Sequence, residues 1–296
     1  MNALAILAAL AASLSWAGAA FLAHAPARAL GVFEFTRVQL TGISCLLALL
    51  VTATGGWATV SWHHWPNLLF TALVGVLGTN LAMAVTLRRG GPRRCQMLAT
   101  GSAPLATLLG WLLLGESLGA LALTGIGMAV GGVLLAILFR DGQGAEPLHG
   151  RLGSLLLYGL LSALCHAAGL VAMKPVLLAG TDPIAAAALR TGGAAVAIVL
   201  IGLLPLPASL ASPVPRTLPL LARALLPAAM GYGLAASLLL YALRSGLTGY
   251  AVVLGSLAPV MMLPLGWAVS GKRPPAAAWG GALLLVAGIG VMVAAR

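Results

Sequence analysis

The chain has 296 residues, 61% of them hydrophobic and 7% charged, with a mean hydropathy of +1.06. Soluble domains carry about 25% charged residues. The composition therefore excludes a soluble enzyme and, despite a net charge of +11, a nucleic-acid-binding module. In an integral membrane protein such charge sits in loops and sets topology. Cys45, Cys95 and Cys165 lie in apolar runs, at spacings that fit neither a disulfide framework nor a metal site. No metal and no cofactor is expected.

Charges are so sparse that the gaps between them mark the membrane spans. Each gap is about 20 residues, one bilayer crossing, except 38–87, which holds two. That window divides at Thr54-Gly55-Gly56-Trp57 and Ser61-Trp62-His63-His64-Trp65-Pro66, a turn followed by an interfacial aromatic cluster. Ten helices are predicted, over 3–25, 33–52, 66–87, 93–113, 119–139, 151–173, 184–204, 219–242, 247–269 and 275–295. Ala23-His24-Ala25 imitates a signal-peptide cleavage site, yet no base precedes it and the apolar run is too long. The first stretch is read as a retained span.

An internal repeat organises these helices. Leu87-Arg88-Arg89-Gly90, Gly101-Ser102-Ala103-Pro104, Gly110-Trp111 and Gly125 recur as Leu243-Arg244-Ser245-Gly246, Ser256-Leu257-Ala258-Pro259, Gly266-Trp267 and Gly281. The offset is 155 to 156 residues. Nearer the start, Pro26 matches Pro175 and Arg37 matches Arg190. The expected fold is an all-α membrane protein of ten transmembrane helices, built as two five-helix repeats over 1–140 and 151–296. Five is odd, so the second repeat enters the membrane inverted. Inverted repeats are the plan of alternating-access transporters, whose site lies near the midplane where the copies meet.

These residues resemble the drug/metabolite transporter superfamily in its ten-helix EamA branch. The points of likeness are an Arg opening the second helix of each repeat (Arg37, Arg190) and a Pro in the fourth (Pro104, Pro259). Gly115-Glu116 at the end of that helix and a Gly-rich fifth helix complete them. Within the branch the chain looks most like YddG-type amino-acid exporters. The resemblance implies export of amino acids or similar metabolites through a central cavity, in a bacterial-type inner membrane. One departure is Lys272, which stands where the first copy has Glu116. It argues for a structural role for that carboxylate.

Polar and aromatic groups at mid-span depth are the candidate substrate-binding residues: Trp16, Thr79, Asn80, Thr100, His166, Ser237, Tyr241 and Ser256. A polar group in lipid is costly, so each needs a helix contact or a substrate. Pro104 and Pro259 are candidate gating kinks, since a mid-helix proline frees a carbonyl. Gly127 and Gly131 fit close helix packing, whereas Arg37 and Arg190, near helix starts, are expected to snorkel. His166 is the one mid-span side chain whose unperturbed pKa, about 6.5, suits proton coupling. Walker loops, HExxH, GxSxG and paired intramembrane acids are missing from the sequence. The substrate is expected to be a small neutral or zwitterionic molecule, carried by a monomer in the bilayer. An intramembrane enzyme using Cys165 and His166, or a passive channel, is the alternative reading.

Of the 16 bases, twelve fall in loops opposite the termini and four on the termini side. Each basic residue near an anionic leaflet is worth about 1 kcal/mol. The charges therefore predict that both termini lie outside, whereas the resemblance implies that they are cytoplasmic. On the charge reading, a cysteine at Gly91 stays unlabelled by an impermeant thiol reagent in intact cells, and labelling there reverses the orientation.

Overall fold

The computed structural model describes residues 3–114, 119–138, 149–204, 215, 217–235, 238, 254, 257–271 and 273–294, and among these every regular element is helical. Helix α1 (Ala3–Leu30) runs past Pro26 to Gly31, whose φ of 83° turns the chain at once into α2 (Val32–Thr54). Gly55, at φ 70°, closes α2 by donating its N–H to the Thr52 and Val51 carbonyls. Two 3-10 turns follow and expose Trp57 and Trp62, with Trp65 beside them. Aromatic groups displayed at a span end suit the headgroup layer.

Helix α3 (Trp65–Phe70) passes through a π-helical stretch, Thr71–Gly78, into α4 (Thr79–Thr100). Further on come α5 (Ser102–Leu114), α6 (Ala120–Leu138), α7 (Leu152–Leu178), α8 (Pro183–Ile201) and α9 (Leu218–Ala228). Helix α9 runs on into a second π-helical stretch, Ala229–Ala235, and the chain finishes with α10 (Ala258–Ser270) and α11 (Ala276–Ala294). Among the described residues seven helical stretches are long and apolar enough to cross a membrane, one of them, Trp62–Leu113, with length for two crossings. Shorter apolar helices at Ala120–Leu135 and Ala258–Val269 fill the places of the fifth and ninth spans. The expected all-helical membrane architecture, in two repeats, is what the chain adopts.

Three expectations change. The arginines of 88–94, counted above among the loop bases, do not form a loop: helix continues to Gly90, Gly91 turns at φ 77° and ψ 174°, and Pro92 restarts it. Arg93 and Arg94 are buried, at 6% and 1% exposure, and so cannot meet lipid headgroups. Pro104 and Pro259 do not kink helix interiors. Pro104 is the third residue of α5, after a break at Gly101, and Pro259 is the second of α10. A proline lacks only an N–H that has no partner in the first turn, so these prolines begin half-helices. Finally, close packing does not require Gly127, which has open space at its Cβ position, or Gly131, where a Cβ would meet Leu284 of the last helix in ordinary contact at 3.8 Å.

Close packing falls instead on Gly125 and Gly132 of α6 and on Gly281 and Gly288 of α11. A Cβ at Gly132 would lie 2.5 Å from the Gly281 carbonyl oxygen, and one at Gly125 would lie 2.6 Å from that of Gly288. The repeat offset of 156 carries Gly125 to Gly281 and Gly132 to Gly288. Each glycine thus meets the counterpart of the other, the crossed pattern that a twofold relation imposes on a self-complementary contact. Other helices also pair between copies, α2 with α8, α4 with α7 and α1 with α9, which leaves the centre between them.

Two outcomes follow from this packing. Gly132→Ala, forced against backbone atoms at 2.5 Å, should destabilise the protein by about 1–3 kcal/mol, seen as a lower unfolding midpoint in detergent. Gly127→Ala should leave the midpoint unchanged or raise it slightly. Gly91 is buried and left-handed, so the orientation label belongs at His149. That residue is exposed and on the same face, its N–H bonded to the Arg89 carbonyl at 2.9 Å and its ring beside Arg28.

Candidate functional site

The two π-helical stretches stand at equivalent places, Thr71–Gly78 in the first copy and Ala229–Ala235 in the second. A π turn widens the helix and leaves backbone carbonyls short of their usual partners. In the first copy the Asn80 Nδ2 donates to the Val76 carbonyl at 2.8 Å. In the second, the Trp16 Nε1 donates to the Gly231 carbonyl at 3.1 Å, and the Ser15 hydroxyl to that of Met230 at 3.0 Å. Small residues let the neighbouring helices approach these turns. A Cβ at Gly75 would stand 2.7 Å from the Cα of Gly169, and Gly231 faces Ala19 and Trp16.

Between these helices lies a chamber of about 590 Å³. Its walls are mostly apolar, with Trp16, Phe35, Leu47, Met83 and Leu170 among them. Polar groups enter from both copies: Gln39, Thr79, Asn80, Gln96 and Thr100 from the first, Ser162, His166, Arg190, Thr191 and Tyr232 from the second. Of the sequence-derived candidates, Trp16, Thr79, Asn80, Thr100 and His166 line this one chamber. Ser237, Tyr241 and Ser256 fall outside the described residues. Ala103 and Ala258, each beside one of the half-helix prolines, also reach the wall.

Several of these side chains are occupied in holding the frame. The Tyr232 hydroxyl donates to the Asn80 Oδ1 at 3.0 Å and ties the copies across the chamber. Ser162 donates to the Thr79 carbonyl at 3.1 Å, while Thr79 returns a bond to the Ser162 carbonyl at 3.5 Å. The Thr100 and Thr191 hydroxyls bond back to their own helices, and the Gln39 amide donates to the Ala224 carbonyl. Ser13, one turn before Trp16 on α1, is buried and donates to the Leu254 carbonyl at 2.6 Å. By contrast, no hydrogen bond engages the side chains of Gln96, His166 or Arg190 among the described residues.

Arg190 and Tyr232 are the residues that the sequence reading missed. Arg190 does not snorkel to an end of its span. It lines the chamber, where its charge is felt by His166 and Tyr232. Tyr232 follows Gly231 in a segment with no local polar pattern, and only the π turn and the Asn80 bond mark it. Arg37, the repeat equivalent of Arg190, does sit apart from the chamber, paired with Glu34 at 2.8 Å. Cys165 is not on the chamber wall and points its Sγ toward Gly78, so the nucleophile of the enzyme alternative stands away from the site. No group of three or more metal-ligating side chains occurs among the described residues.

Two lengths of the chain, 3–138 and 153–294, match the model of the EamA-like transporter family. The chain belongs to the EamA-like transporter family. This makes it a multi-pass membrane transporter of the drug/metabolite superfamily, with the EamA unit present twice. No curated protein matches it. Sixteen chains of solved structures do. One, described only as "Crystal structure of protein", superposes at a TM-score of 0.68 with 19% identity, over 98% of this chain and 96% of its own. At that identity the likeness is one of fold.

The Asn80 bridge yields a measurable expectation. Asn80→Leu leaves the Val76 carbonyl and the Tyr232 hydroxyl without their partner. Val76 is buried, whereas Tyr232 is 37% exposed and lines the chamber. An unpaired buried group costs about 1–3 kcal/mol, so the loss falls mainly at the Val76 carbonyl: the unfolding midpoint should drop, and Tyr232→Phe should lower it less. Equal midpoints in all three proteins would mean that the bridge carries no energy.

Proposed function

We propose that this EamA-like protein exports small zwitterionic or neutral metabolites, amino acids foremost and aromatic ones among them, by alternating access around the central chamber. The observation that carries the reading is a half-open chamber of about 590 Å³ between the two copies, a size typical of small-molecule sites. Its apolar walls suit a hydrocarbon or aromatic side chain, while Gln96, His166 and Arg190, which no hydrogen bond engages among the described residues, offer polar groups for the rest. The acids among the described residues, Glu34 and Asp182, are used elsewhere: one pairs with Arg37, the other caps α8. The carrier works as a monomer in a bacterial-type inner membrane on this reading. The half-helices that begin near Pro104 and Pro259, together with the two π turns, are the joints about which the copies rock.

Purified protein in liposomes tests it. Radiolabelled leucine or phenylalanine should enter with saturating kinetics and should exchange faster when unlabelled amino acid waits on the far side. Flux that rises linearly with concentration would favour a passive channel. The pH dependence of that flux is assigned to His166, so His166→Ala should flatten it, and an unaltered profile would place the proton route on another residue or remove coupling altogether.

A further inference from the structure

Resting on that reading of the chamber, we infer that Arg190 anchors a carboxylate of the substrate, which replaces an internal counter-ion that the second copy has lost. Arg37 and Arg190 are equivalent positions, 153 residues apart. In the first copy the Arg37 Nη2 donates to the Glu34 Oε1 at 2.8 Å, one turn back on the same helix. Its Nη1 lies beside Gly202 at the end of α8, the negative end of that helix. That cation is answered within the protein.

The same offset carries Glu34 to Ala187, one turn before Arg190, and Ala187 also lines the chamber. A methyl group thus stands where the first copy keeps its carboxylate. Among the described residues no acid lies within salt-bridge distance of Arg190, and no carbonyl or side chain accepts a hydrogen bond from it. Asp182, the acid nearest along the chain, spends its Oδ1 on the N–H groups of Ile184 and Ala185. The neighbours that feel the charge of Arg190, His166 and Tyr232, are not anions.

A lone guanidinium inside a span is costly to hold without an anion, and its planar fork matches a carboxylate with two parallel bonds. One cation suits one carboxylate. A doubly charged phosphate calls for more, and a cationic molecule is repelled. Arg190 is therefore a specificity-determining residue for monocarboxylates and zwitterions.

The test measures the unfolding midpoint of the full-length protein in detergent with leucine, leucinamide, or isocaproate, the same skeleton without its amine. Leucine and isocaproate should stabilise the protein, and leucinamide should not. Arg190→Gln should weaken the apparent affinity for both acids by at least about tenfold, Arg190→Lys by less, and Arg37→Gln should keep the response. Ala187→Glu is the decisive variant. It rebuilds the pair of the first copy, so the protein should remain monodisperse and as stable without ligand, yet lose its response to carboxylates. Stabilisation by leucinamide equal to that by leucine overturns the anchor and leaves amino-acid transport standing, as does a wild-type response in Arg190→Gln or Ala187→Glu. Stabilisation by isocaproate but not leucine upholds the anchor and removes the amino-acid reading. Silence from all three compounds overturns both.

Discussion

In a bilayer the backbone has no water to bond with, so every N–H and carbonyl needs a partner inside the protein. The centre of this transporter is built where that condition is hardest to meet. Two π turns, Thr71–Gly78 and Ala229–Ala235, displace the regular ladder at matching places in the two copies. The carbonyls of Val76 and Gly231 are then taken by the Asn80 amide and the Trp16 indole. The second of these bonds crosses from one copy to the other, and Tyr232 crosses back to Asn80. Repairing the backbone and joining the copies are thus one set of bonds, and the chamber is the space they enclose.

The frame around that chamber is close to symmetric, and its chemistry is not. Glycines 125, 132, 281 and 288 meet in a crossed pattern that only the twofold relation explains, since each approach leaves no room for a Cβ. Half-helices begin at corresponding places, Ser102 and Ala258. Yet the side chains that face the interior differ between copies. Glu34 neutralises Arg37, while Ala187 leaves Arg190 without a partner among the described residues. Inverted repeats need like backbones to rock between two states, but a substrate has two different ends. Duplication supplies the first and divergence the second.

Much of the architecture was legible from apolar run lengths and the repeat offset, because membrane spans obey a length rule and a desolvation rule that act along the chain. The candidate site was legible in part. Trp16, Thr79, Asn80, Thr100 and His166 stand out as polar or aromatic groups at mid-span depth, and they do line one chamber. The chamber position of Arg190 is not legible, because its distance from a helix start suggests snorkelling. Whether such a side chain reaches headgroups or a cavity depends on which face of α8 meets the other helices. The glycines that close packing requires are not legible for a related reason. In a helix as glycine-rich as α6, spacing alone does not tell which glycine faces α11.

The sequence by itself determined that this chain is a membrane protein, that its spans number ten, and that they form two inverted copies with a shared interior. Those properties follow from hydropathy, charge spacing and duplication, all of which are linear. The tertiary structure decided where the helices break, for Gly91 and Gly101 interrupt what reads as loop or continuous helix, and Pro104 merely follows. It also decided which polar groups are spent on the frame and which are free. That distinction depends on partners far apart in the chain, such as Asn80 with Tyr232 across 152 residues, and on close backbone approaches that no local pattern encodes.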